Sequence, residues 1–208
     1  MNISKFLLID AALAIAAIPL LFFLPVGKKQ TSLLRSLKKE KLLGKTSVKI
    51  PDQEKLIELE KHAKNQGSRI EFDSLIGDWK FVSVRKKDLE EEDHVFSSLL
   101  RVFSANIEFK KDSSTDNSPE FSVITSIIFG LFTIEFSGSG YLKGKQPLLP
   151  FFLNLIELKS ASKTLISKSL EEPEEKEKSF FSLIALKENG KLLSARGHAG
   201  ELVIWLKD

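Results

Sequence analysis

The 208-residue sequence has no cysteine. Disulfides, cysteine-ligated zinc, thiol nucleophiles and a lipid-modified cysteine anchor are therefore excluded, while the redox compartment stays open. Histidine is scarce as well: His62, His94 and His198 are the only three, and none stands at a metal-ligand spacing from another. No G-x-S-x-G, P-loop or G-x-G-x-x-G context occurs. Gly138-Ser139-Gly140 lies between two strand-like runs, where a bend or bulge is expected. Strong charge of one sign is missing too, since the formal net charge is only +3. That argues against a nucleic-acid partner. No catalytic residue and no metal ligand are expected, and the residues lend no support to an enzyme.

What is present is ordinary globular material, 42% hydrophobic and 28% charged, with room for one core. Its most apolar stretch is residues 6–26, interrupted by Asp10, Pro19 and Pro25. As a helix this run would measure roughly 30 Å, enough to cross a hydrocarbon core. We expect a transmembrane anchor over residues 1–27, with a cleaved signal peptide as the alternative. A signal peptide fits less well because Lys5 is the single n-region cation and no small-x-small pair follows the run. Lys28, Lys29, Arg35, Lys38, Lys39 and Lys41 come next, with Glu40 as the one acid among them. Such a cluster holds the downstream side in the cytoplasm or its topological equivalent, and it suits an anionic membrane surface. A solvated topogenic flank explains these cations equally well.

Residues 28–74 are expected to form a basic juxtamembrane segment and a helix. Pro51-Asp52 opens the helix, Leu56, Leu59 and Ala63 repeat at helical spacing, Ile57 joins them, and Gly67 is a stop. From residue 75 the pattern becomes one of short strands with turn signals between them, which indicates an antiparallel sandwich or barrel. In the first, Trp79, Phe81 and Ser83 are expected on one face and Val82 and Val84 on the other. Further strands are expected near residues 105–111, 120–129, 131–144, 151–160 and 179–188. Residues 192–196 and 201–207 are expected to close the chain as a hairpin around Gly197-His198-Ala199-Gly200. One helix interrupts the series, with Val95, Phe96, Leu99, Val102 and Phe103 sharing a face behind the acidic residues 88–93. Residues 111–120 and 171–178 read as loops. Residues 121–136 are too short, too β-branched and too interrupted by Gly130 and Glu135 for a second span.

Two stretches carry a resemblance. Leu75-Ile76-Gly77-Asp78-Trp79 contains a G-x-W at the head of the first strand, and Arg196-Gly197 followed by Gly200 and the apolar Leu202-Val203 ends the chain. This pairing resembles the plastid lipid-associated proteins, or fibrillins, which have a lipocalin-like (calycin) barrel. The resemblance covers roughly residues 52–208 and rests mostly on the two ends. It departs at His198-Ala199, where an acidic or amide residue usually follows the arginine-glycine, and in the N-terminal apolar run. It implies a mainly β fold: an antiparallel lipocalin-like barrel over residues 75–208, closed by Gly77, Trp79, Arg196, Gly197 and Gly200. Arg196 would pack across the Trp79 indole as a cation–π contact.

The function implied is a membrane-tethered module at a photosynthetic, thylakoid-type membrane, with its soluble domain on the cytoplasmic or stromal face. It would bind a lipid, an isoprenoid or carotenoid, or a quinone through Trp79, Phe81, Val123, Phe132, Ile134 and Phe136. Beyond such a bound lipid or isoprenoid, no cofactor is implied. The expected partners are membrane lipids and a membrane protein complex. The same six side chains equally suit a solid core, which makes a non-enzymatic assembly or scaffold factor the alternative. A bilin-lyase-type enzyme would need acids in the pocket, and Glu135 is the one obvious acid in the apolar mid-chain strands.

Overall fold

The computed structural model describes residues 48–85, 97–98, 100–101, 103–111, 120–161, 163–174 and 178–208. The expected anchor, the juxtamembrane cations and His94 lie outside these residues. Among the described residues, no helix is long and apolar enough to cross a membrane.

Helix α1 (Gln53–Gln66) begins where the Asp52 carboxylate accepts the Lys55 N–H at 2.8 Å. It ends at Gly67, whose φ of 84° suits glycine and whose N–H donates to the Ala63 carbonyl. A short helix, α2 (Phe72–Leu75), leads into the strands. These are β1 (Gly77–Arg85), β2 (Asn106–Lys111), β3 (Glu120–Phe129), β4 (Phe132–Tyr141), β5 (Leu148–Ser160), β6 (Lys163–Ser169), β7 (Ser179–Lys187), β8 (Leu192–Gly197) and β9 (Leu202–Lys207).

All nine strands form one antiparallel sheet in the order β4-β3-β2-β1-β9-β8-β7-β5-β6, and an added β4–β5 pairing closes it into a barrel-like ring. Closure removes the sheet edges from the body. Strand β6 stays outside the ring. It pairs with the far half of β5, while the near half of β5, Leu148 to Phe151, pairs with β7. The ends of β3, β4 and β5 thus run past the ring with β6 as a four-stranded wing. Gly138 itself stays in the ladder: the bulge lies opposite it, where Asn154 of β5 is the extra residue between the Ser137–Leu155 and Gly138–Leu153 pairs, and a Cβ at Gly138 would overlap the Phe152 carbonyl.

The core has two main layers. Inside the ring pack Trp79, Phe109, Phe121, Val123, Phe151, Phe181, Leu193, Val203 and Trp205. Outside it, Leu56 of α1 meets Val82, Ile184, Leu192, Leu202 and Ile204 from β1, β7, β8 and β9. Helix α1 therefore belongs to the barrel's own fold and is not merely part of a juxtamembrane segment. Its buried stripe is Leu56, Glu60 and Ala63, one polar side chain between two apolar ones.

Candidate functional site

By alternation, Ser83 is expected on the face of Trp79 and Phe81, and Val84 on the opposite face. The structure reverses this pair. Phe81 pairs with Trp205 but Ser83 pairs with Ile204, so a bulge at Val82 shifts the alternation. Val84 consequently joins the inner cluster, while Val82 joins the outer one. Past Lys80, β1 has no β2 residue beside it. Side chains from the helical turn that includes Ser97 and Arg101 supply the missing partners: the Ser97 Oγ accepts the Val84 N–H at 3.0 Å and Arg101 donates to the Val82 carbonyl at 2.7 Å. The bulge is thus where this helical turn attaches to β1, while Val95, Phe96, Leu99 and Val102 of the helix expected there lie outside the described residues.

All six expected ligand-contacting residues lie on the inner face, as the strand register requires. Trp79 aligns with Ile107 and Thr125, Thr125 with Phe136, and Ile127 with Ile134. Their surroundings differ along the barrel. Trp79 and Val123 are completely buried, Phe136 nearly so, and Phe81 and Ile134 partly, whereas Phe132 is 40% exposed on the wing. Between them aromatic rings meet one another. Phe121 stacks on Phe72 of α2 at 4.8 Å and meets Phe109 edge-on at 5.7 Å; Phe181 stacks on Phe151 at 5.2 Å and meets Trp205 edge-on at 5.1 Å. These centroid distances are those of close-packed aromatic pairs. Among the described residues these rings pack against one another in the body interior, as in small barrels whose lumen holds side chains.

Arg196 does not cover Trp79. On β8, Leu193 and Ala195 point inward, so Arg196 points outward towards α1. There its Nε and one terminal nitrogen grip the two oxygens of Glu60 at 2.7 and 2.5 Å, and the other terminal nitrogen donates to the Gly200 carbonyl at 2.5 Å. Lys64 approaches the same carboxylate at 3.0 Å. Burial alone would raise Glu60, but hydrogen bonds from Arg196 and Lys64 outweigh it and hold its carboxyl below the usual range. Arg196 is therefore a clamp between helix and barrel. Gly197 serves the same corner: a Cβ there would overlap the Glu201 carboxylate.

The place expected for Arg196 is taken by Lys207, whose Nζ lies 5.1 Å from the centre of the Trp79 ring. The indole N–H donates to the Leu75 carbonyl at 2.6 Å, tying the tryptophan to α2. Gly77, at φ 127°, lies beside the Lys207 stem, so the G-x-W does mark a barrel end, with a different cation over it. Nearby, burial and the Asp208 and Glu108 carboxylates push Asp78 above its ordinary value.

The remaining candidates sort simply. Glu135 pairs in register with Ser126 and Glu157, on the face opposite to Ile134 and Phe136, and Lys159 bonds it at 2.7 Å. It therefore lies on the outer face of the sheet and does not point into the barrel. His198 stacks on Phe180 at 4.8 Å and His62 is exposed on α1. Among the described residues no group of three or more His, Asp or Glu side chains stands where it could hold a metal. Two adjoining clefts open to solvent where Leu148 and Phe180 meet: one of about 520 Å³ beside Arg196 and His198, the other of about 420 Å³ beside Tyr141 and Lys178.

Sequence reasoning missed β6 entirely. Its residues are exposed on both faces, so it has no alternating pattern to betray it; Thr164-Leu165-Ile166 is the faint β-prone signal it offers. With β6 comes a patch of exposed large apolar side chains on the wing: Ile128, Leu131, Phe132, Leu165 and Ile166. No protein-family model, curated protein or solved structure matches this chain.

Proposed function

We propose that this chain is a membrane-tethered, non-enzymatic assembly module: a lipocalin-like barrel with a solid core that acts through its surface. The observation that carries this reading is the ring cluster inside the barrel, in which Trp79, Phe109, Phe121, Phe151, Phe181 and Trp205 are buried together. The apolar run at residues 6–26 and the cations after it support the tether. A photosynthetic membrane is the location that the fibrillin resemblance implies. The lipid-binding reading keeps one support of its own. Phe132 and Ile134 continue the inner face beyond the packed body, where an apolar chain can lie along them.

The test is to purify the full chain from its native membranes and analyse what accompanies it by absorbance and mass spectrometry. A co-purifying membrane complex without a stoichiometric small molecule is the expected result. A stoichiometric lipid, carotenoid or quinone overturns the solid-core reading in favour of the binding one. Release of the chain by alkaline carbonate overturns the tether.

A further inference from the structure

We propose that the tip of the wing is a bilayer-docking surface that sets the barrel's orientation on an anionic membrane. The tip consists of two hairpin ends held side by side, since the Ala161 N–H at the β5–β6 turn donates to the Leu131 carbonyl at the β3–β4 turn. Leu131 projects from this end with 82% of its surface exposed. Ile128 flanks it on the outer face, and Ile166 lies on the inner face, in register with Leu158 and Ile134. Apolar residues therefore surround the end of the wing on both faces. That arrangement suits insertion of a tip better than packing of one flat face against another protein.

Charge decides between lipid and a second strand as the occupant. Strand β6 is the free end of the sheet order, and its Leu165-Ile166 pair is bracketed by Lys163 and Lys168, both exposed. Lysines on an edge strand discourage pairing with another edge. Beside an apolar tip they favour the headgroups of anionic lipid. Lys159, the other wing cation, is occupied by Glu135 and Glu157 on the outer face, which leaves Lys163 and Lys168 to face the membrane. The roughly 20 residues between Val26 and Val48 can span up to about 70 Å when extended, so a tether alone brings the domain near a bilayer without fixing its pose. This inference rests on the tethered reading for proximity alone.

The test uses the full chain reconstituted in vesicles of phosphatidylcholine with phosphatidylglycerol, carrying Leu131→Trp. The native Trp79 and Trp205 are buried in the barrel, so their emission is removed by subtracting the parent chain. The added emission is expected to shift to the blue and to be largely lost when the lipids carry bromine on the upper acyl chain, as for a tip seated about 5–10 Å into the headgroup–acyl boundary. Lys163→Gln and Lys168→Gln in the same background should each lower the ratio of docked to undocked tip roughly fivefold. Pure phosphatidylcholine removes both attractions and should lower it roughly 25-fold. Added emission that stays water-like, is quenched by aqueous iodide and ignores brominated lipid overturns the proposal. The outcome is separable from the tether, because a carbonate-released chain added to preformed vesicles still reports docking of its tip.

Discussion

The barrel body and the wing use the same strands for opposite ends. In the body, the early part of β3 places Phe121 and Val123 into a ring-filled interior; ten residues or fewer further along, the same strand ends beside an almost fully exposed Leu131. β5 makes the same change, from Leu149 and Phe151 in the core to Leu158 beside an exposed Ile166. The difference is closure: within the ring every strand has neighbours on both sides, whereas the wing stops at β6. Apolar side chains thus stabilise the body through burial, while those on the wing remain available to another surface.

That contrast can be broken at several points. The largest effect is expected from Trp79→Ala, which empties a completely buried site and leaves the Leu75 carbonyl without its donor. A loss of about 3–5 kcal/mol in urea unfolding is expected. A small loss would show that the interior is not tightly packed and would revive an enclosed ligand.

Arg196→Ala comes next, at about 2–3 kcal/mol, because Glu60 stays buried with Lys64 as its remaining ionic partner. The value lies below that for a fully buried pair because the Arg196 side chain is a quarter exposed. The paired change Arg196→Met with Glu60→Leu should recover most of it. Glu60 also predicts a pH signature. Its folded carboxyl lies below the ordinary value, so its contribution is present above the unfolded carboxylate range and is lost as pH falls through the folded value. Arg196→Ala should flatten that part of the acid-unfolding curve. An unchanged curve would detach the clamp from stability.

The smallest effect is expected on the wing. Leu165→Thr and Ile166→Thr should each change stability by about 0.5 kcal/mol or less, since both side chains are already about half exposed. A loss comparable to that of Trp79→Ala would mean that the wing belongs to the core and that the comparison fails.

Much of this architecture was legible beforehand. The closing hairpin, the Asp52 to Gly67 helix and most strands follow from local rules of turns, caps and alternation. Three features were not. Val84 faces inward because one bulged residue, Val82, resets the parity of β1, and nothing in the run of apolar residues marks where a bulge falls. Strand β6 has no buried face and so leaves no pattern. Arg196 meets Glu60 across 136 residues of chain, a partnership that depends on which face of β8 the helix covers.

The sequence by itself determined most of the elements, β6 excepted, because caps, glycine turns and side-chain period act between near neighbours. It also placed Trp79 near the head of the first strand and excluded the chemistry of thiols. Only the tertiary structure decided that Lys207 rather than Arg196 covers that tryptophan, which aromatic rings meet inside the ring of strands, and that an apolar wing extends beyond it. Those outcomes depend on register and on ring closure, which bring residues far apart in the chain into contact, and local preference carries no record of either.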